Sequence, residues 1–351
     1  MKVFLVTHNV GMGGGGKSIT LLHNQLKKYD HDIEPVLVNF QQKATTSKLY
    51  LNYKLLPYLK LLVEGMRPDD ILHVYNMYLL PVVGYLTKKH NINSIATLNG
   101  ITFSPSMSNY NNLPRYIHPR FYRNLFLMRY IKEIRFFTTL CPFYRDSWVR
   151  DGIGMRRISI ITNMLDPGFK PVPKTESIGK IVFTFIGGYA HWRRPDLVLK
   201  VLRFLPGKNI RFILVGRGWQ PLVRECGDRR VVYFDFVNSF LLHRILSQTS
   251  VLVQPYLFPV PVSRVIVEAM QYGIPVVTTG NLYFSPIVRN GVDGMLLYPM
   301  TSDKLYHVLR FLIDNPDVVK KMGRNAKKRV YEVCHPRRII PNYVRVYKQY
   351  V

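Results

Sequence analysis

Three groups of residues have types and spacings that could do chemistry. Gly11 to Ser18, GMGGGGKS, fits the pattern G-x-x-x-x-G-K-S, whose backbone amides cradle phosphate where a strand turns into a helix. A P-loop nucleotidase also needs an aspartate at the end of a later strand to help hold magnesium. Asp69 and Asp70 precede the strand-like ILHVYN instead of ending it. A glycine-rich turn at a helix start binds any phosphate, because its free amides and the helix dipole point there. The second group is Arg193 and Arg194, adjacent before a helical stretch and able to give bidentate phosphate contacts. A solvated surface pair is the plain alternative. The third is Glu268, flanked by Ile266, Val267, Ala269 and Met270, so that little of its helix can face water. A carboxylate there must be paired, most simply with an arginine, or must bind something.

These residues sit on recognisable elements. VLVQ reads as a short buried strand ended by Pro255. SRVIVEAMQY reads as a helix with Ser263 placed to cap its first turn. Gly273 suits the left-handed residue after a helix, Pro275 blocks continuation, and PVVTT is the next strand before Gly280. Such a strand–helix–strand unit belongs to a parallel sheet. KVFLVTHNV and KIVFTFIGG open two further series; the second ends on Gly187 and Gly188, and IRFILVGRG turns at Gly216. KPVPKTESIGK is a polar, proline-containing linker. The last helix is expected from about Pro341.

SRVIVEAMQYGIPVVTTG resembles the donor-site segment of the GT-B glycosyltransferases, specifically their retaining family four. That family's pattern is Glu-x7-Glu followed by Ala-Met and Gly-x-Pro-Val-Val; Glu268 matches the second Glu, while Val260 stands at the first. The resemblance extends to DDILHVYN, to Asn163 and Asp166 in ISIITNMLDPGF, and to Gly291 and Gly294. It departs at Asn99, where relatives often carry His, at Ser285, where they carry Glu, and at Gly188, where they carry the first of two diphosphate-gripping cations. Arg193 or Arg194 falls near the second cation.

The resemblance implies two doubly wound Rossmann-like α/β domains facing across a cleft. Residues 1–170 would form the acceptor-side domain, 178–337 the nucleotide-sugar domain, and a helix over about 338–351 would cross back to the first. It implies a metal-independent hexosyltransferase, without cofactor, that moves a sugar from a nucleotide-diphosphate donor to a glycan, lipid-linked or protein acceptor, with retention. Glu268 would hold ribose hydroxyls. Arg193 or Arg194, with Arg264 and the helix start at Ser263, would neutralise the leaving diphosphate. Asn99 can hydrogen-bond a sugar hydroxyl but cannot act as a base at neutral pH. Gly14, Gly15 and Gly16 would approach the phosphates or the acceptor. His73 reads as packed at its strand rather than catalytic.

Composition sets the remaining bounds. The 351 residues suit about two domains. Cys141, Cys226 and Cys334 are few and far apart, which gives neither a disulfide framework nor a zinc site and fits a reducing, cytoplasmic setting. A net charge of +28 implies an anionic partner: donor phosphates, anionic lipid or nucleic acid. The basic, aromatic stretch Arg115–Arg150 reads either as a core helix with a solvated cationic face or as an amphipathic contact with anionic headgroups. Two rival readings remain. One is a nucleic-acid-binding or DNA-glycosylating protein, which lacks a recognition helix or RNA-binding aromatic signature. The other is an inactive GT-B scaffold, suggested by Val260, Asn99 and Gly188.

Overall fold

The computed structural model describes residues 1–7, 13–40, 50–75, 79–98, 125–173, 180–190, 192–207, 209–257, 263–280 and 287–349. Two compact units divide the chain: Met1–Met164 with Pro336–Val351, and Leu165–His335.

Unit 1 alternates strand and helix: β1 (Lys2–Thr7), α1 (Gly13–Tyr29), β2 (Glu34–Asn39), α2 (Tyr50–Glu64), β3 (Ile71–Val74), α3 (Leu80–His90), β4 (Asn93–Leu98), α4 (Leu125–Ile131), β5 (Phe136–Thr139), α5 (Pro142–Arg150) and β6 (Ile158–Ile160). Its six strands are all parallel, in the order β2-β1-β3-β4-β5-β6. Burial on both faces explains why β1 and β3 read as almost unbroken apolar runs. α12 (Pro336–Lys348) completes the unit, starting earlier than the expected Pro341, which lies inside it. Pro336 takes the first helical turn, where a missing N–H costs nothing. Its Ile339, Ile340, Tyr343, Val346 and Tyr347 join the core that also holds Val3, Leu5 and Ile19. Within Arg115–Arg150 the described part is not one amphipathic face. It is α4, then the fully buried β5, then α5, and residues 115–124 lie outside the described residues.

Unit 2 contains β7 (Ile181–Ile186), α6 (Pro195–Leu202), β8 (Ile210–Val215), α7 (Gln220–Cys226), β9 (Val231–Phe234), α8 (Ser239–Gln248), β10 (Val251–Gln254), α9 (Arg264–Gln271), β11 (Val276–Thr279), β12 (Gly294–Leu297), α10 (Ser302–Asp314) and α11 (Pro316–Cys334). Its parallel strands run in the order β12-β11-β10-β7-β8-β9. The first three strands wind outward from β7 in one direction and the last three outward from β10 in the other. The connections therefore diverge between β7 and β10, and the carboxyl ends at such a switch point are the usual ligand position in an open α/β sheet.

Candidate donor site

The switch point in unit 2 is built on the turn after β7. The Gly187 N–H donates to Val215 O at 2.8 Å, the Trp219 indole to Gly187 O at 2.7 Å, and the Tyr189 N–H to Arg217 O at 2.7 Å. Gly216 follows β8 with φ +143°, and a Cβ there would lie 2.2 Å from Gly187 O. Only glycine lets the two turns approach this closely.

Arg193 and Arg194, equivalent by sequence, are separated by their surroundings. Arg194 is bound by Asp196 in a fork, Nε to Oδ1 at 2.8 Å and Nη2 to Oδ2 at 2.6 Å, and this hydrogen bonding raises its pKa. Arg193 has no such carboxylate among the described residues. Its Nη1 donates to Gly188 O at 2.6 Å, and its Cζ lies 4.8 Å from the Trp192 ring centroid. Burial lowers its pKa, with Tyr256 acting in the opposite direction. The guanidinium lies against Gly187, where an added Cβ would stand 2.7 Å from Nη1. Arg193 is thus a partly desolvated cation at the switch point, held by neutral groups.

The loops after β7 and β10 are stitched together around it. Arg193 and Tyr256 form an antiparallel bridge, flanked by Arg194 N–H to Pro255 O at 3.0 Å and Leu257 N–H to Trp192 O at 2.8 Å. Gln254, fully buried, donates Nε2 to Ile186 O at 3.0 Å and accepts from the Tyr256 hydroxyl at 3.1 Å.

α9 follows β10. Ser263 occupies its N-cap position with extended backbone (φ −71°, ψ 158°), but its side chain makes no capping bond, contrary to the expectation from sequence. The hydroxyl is buried beside Tyr256 instead of turned to the helix amides. Glu268 is buried, as its apolar neighbours require, and its Oε1 lies 3.8 Å from Arg264 Nε one turn earlier, also buried. The carboxylate therefore has an internal countercharge, the simpler of its two sequence readings. Gln271, at the end of the helix, donates to Asp166 O at 3.0 Å. Val260 and Ser285 lie outside the described residues.

In unit 1, Gly13–Gly16 form the first turn of α1, the helix start at which Gly14, Gly15 and Gly16 are expected to approach the phosphates or the acceptor. Ser18 Oγ donates to Asn163 Oδ1 at 3.3 Å. Asp70 Oδ1 accepts from Lys2 N–H at 2.8 Å and Oδ2 from Arg67 N–H at 2.9 Å. It therefore ties down the amino ends of β1 and β3, the edge opposite to α1, and cannot help hold magnesium at the glycine-rich turn. His73 is fully buried; Nδ1 meets Tyr347 OH at 2.8 Å, Nε2 meets Thr97 Oγ1 at 2.7 Å, and burial pushes its pKa down to about 3. It is a neutral core residue. Asn99 lies outside the described residues.

Sequence reasoning did not mark Trp192, Trp219, Gln254 or Tyr256. One available signal was overlooked: Asp196 stands two residues after Arg194 and none is so placed for Arg193.

Comparison with known proteins agrees with the fold of two parallel-sheet units. Across 99% of this chain and 98% of the other, the fold matches sucrose-phosphate synthase from Thermosynechococcus elongatus with TM-score 0.82 at 15% identity. It matches Anabaena Alr3699/HepE, solved in complex with UDP and glucose, with TM-score 0.73 at 17% identity over 99% of this chain and 100% of that one. Among curated relatives, an uncharacterized glycosyltransferase of Methanocaldococcus jannaschii is 26% identical over 171 residues, 47% of this chain and 44% of the relative. The D-rhamnosyltransferase WbpZ of Pseudomonas aeruginosa is 25% identical over 189 residues, 48% of each chain. These matches span about half the length of the curated relatives. Residues 170–329, in unit 2, match the family Glycosyl transferases group 1, and the chain has two parallel-sheet Rossmann-like units like those of GT-B glycosyltransferase structures.

Proposed function

We propose that the protein is a retaining family-four glycosyltransferase that moves a sugar from a nucleotide-diphosphate donor to an acceptor. The donor is assigned to residues 178–337 and the acceptor to 1–170 with 338–351. The observation that carries the reading is Arg193, a partly desolvated guanidinium at the β7–β10 switch point that no described carboxylate neutralises. Such a charge stabilises a leaving diphosphate far more than it would in water, and it does so without a metal. Arg264 and the α9 start at Ser263 add to that field, and Gly187, Gly188 and Gly216 keep the backbone low enough for phosphate to approach. Glu268 holds ribose hydroxyls while sharing Arg264. Asn99 hydrogen-bonds the transferred sugar, and Val260 presents it an apolar wall. Arg194, spent on Asp196, is structural.

Among the described residues no helix is long and apolar enough to cross a membrane. The +28 charge supports a cytoplasmic enzyme that meets its acceptor at an anionic membrane surface. The test is a thermal-shift screen over nucleotide-diphosphate sugars, followed by a transfer assay with the best donor. A stabilising donor raises Tm by mass action on the folded state. No shift with any donor, or binding without transfer or hydrolysis, overturns the reading.

A further inference from the structure

The support of Arg193 points to residues that neither the family resemblance nor the sequence pattern marks. We propose that Tyr256 and Gln254 are positioning residues, which fix the Arg193 guanidinium at the end of β7 through uncharged groups. The inference rests on the donor-site reading given above.

The chain of contacts runs from the sheet outward. Gln254 is fully buried at the end of β10, and its amide orientation is set on both sides: Nε2 donates to Ile186 O of β7 at 3.0 Å, leaving Oε1 to accept the Tyr256 hydroxyl at 3.1 Å. The Tyr256 backbone is clamped by one side chain, since its N–H donates to Thr279 Oγ1 at 2.8 Å and that hydroxyl donates back to Tyr256 O at 2.9 Å. The Tyr256 ring then packs on Trp192 with centroids 5.5 Å apart. Trp192 offers its face to the Arg193 guanidinium, whose far end is caught by Gly188 O. Among the described residues every support is a carbonyl, an amide, a hydroxyl or a π face.

That choice has a physical consequence. A carboxylate support, as Asp196 gives Arg194, would stabilise the cation and cancel most of its field. Neutral supports hold the position and leave the charge to be satisfied by an incoming anion. Burial also keeps Tyr256 a neutral phenol by raising its pKa, so the support stays uncharged through neutral pH. Precise placement matters because a group displaced by about 1 Å can lose a hundredfold in effect.

The test uses the full chain with inorganic pyrophosphate as probe in calorimetric titration. Arg193→Ala should weaken binding about a hundredfold. Tyr256→Phe keeps the ring and removes only the hydroxyl, and should weaken it about tenfold. Combined with Arg193→Ala, Tyr256→Phe should add nothing, because it acts through Arg193. In NMR the Arg193 Nε–H resonance should shift in Tyr256→Phe while that of Arg194 stays in place. Trp192→Leu, at a half-buried site that leaves Gln254 untouched, should behave like Tyr256→Phe and serves if the latter folds poorly. Additive losses in the double variant, or an unmoved Arg193 resonance, overturn the positioning role and leave the donor site standing. Absence of pyrophosphate binding by the wild type, or full binding by Arg193→Ala, overturns the donor-site reading and this inference with it.

Discussion

The two sheets have switch points of opposite character. In unit 1 the order changes between β1 and β3, and beside it His73, Thr97, Thr138 and Tyr347 form a buried chain in which each link is a hydrogen bond of 2.7 to 2.8 Å. Tyr75 and Tyr343 add a second hydroxyl pair at 2.8 Å. The groups are neutral and mutually satisfied, and they fasten α12 to the sheet. In unit 2 the order changes between β7 and β10, and the group beside it is Arg193, whose charge no described carboxylate answers. Topology fixes where the switch point lies. Whether the polar groups nearby are satisfied by one another decides whether the place is core or site.

The largest expected effect breaks the comparison on the unit 2 side. Arg193→Ala should reduce kcat/KM by about 100- to 1,000-fold, as loss of a preorganised charge-stabilising donor does elsewhere. Stability should change little, because the guanidinium sits there against its own desolvation. Arg194→Ala should cost only a few-fold in activity, since its fork to Asp196 already absorbs its charge. Equal losses in the two variants, measured with one donor, would erase the distinction between them.

Next in size is the other buried charge of unit 2. Glu268→Ala leaves Arg264 buried without its carboxylate and should destabilise the protein by about 3 kcal/mol in denaturant unfolding. Replacing both, Arg264→Met with Glu268→Leu, should recover most of that stability, because an apolar pair needs no desolvation. Donor affinity should stay lost in the double variant if Glu268 holds ribose. Full donor affinity in that variant would make the pair purely structural and leave Arg193 as the functional charge.

The unit 1 network is sharpened by acid. The folded-state pKa of His73 is depressed to about 3 against an unfolded value of 6.5, so the unfolded chain binds the extra proton first as pH falls. The contribution is therefore fully present above 6.5 and is lost progressively toward 3. Between pH 7 and pH 5 the wild type should lose about 2 kcal/mol through this group. His73→Gln should be less stable at pH 7 but lack this part of the slope. Identical slopes for the two proteins would mean that His73 is not the neutral core residue its contacts describe.

These contrasts also show what a sequence can carry. VLVQ, SRVIVEAMQY, Gly273 and Pro275 were legible as strand, helix and turn because their signals are local; the structure has β10, α9, a left-handed Gly273 at φ +67° and β11 in those places. The burial of Glu268 was legible from its apolar neighbours. The role of Gln254 was not, because its amide reaches Ile186, 68 positions away, and a side chain bonded to a distant backbone leaves no periodic trace. Trp219, bonded to Gly187 across 32 positions, is hidden for the same reason. Ser263 had the right residue type at the right position, yet a buried hydroxyl beside Tyr256 replaced the cap.

The smallest expected effect asks whether unit 1 keeps a functional feature of its own. Gly15 lies in the first turn of α1, exposed, and a Cβ added there would meet nothing within 4 Å among the described residues. Glycine in a helix is less favourable than alanine by about 1 kcal/mol, so the fold alone would prefer alanine at this position. No steric demand of the described residues explains the glycine. A ligand brought against the backbone amides of this helix start would meet a methyl group there, which makes Gly15→Ala a test of such a ligand. Gly15→Ala should therefore raise stability by about 0.5–1 kcal/mol, read as a higher denaturant midpoint with an unchanged slope. It should at the same time lower turnover by about tenfold if phosphate or acceptor approaches that turn. Magnesium-dependent ATP or GTP hydrolysis should be absent in the wild type, because Asp70 is committed to the opposite edge of the sheet and Ser18 to Asn163. A gain in stability with turnover unchanged would leave the glycine run without a ligand. The functional chemistry legible in this chain would then lie in unit 2.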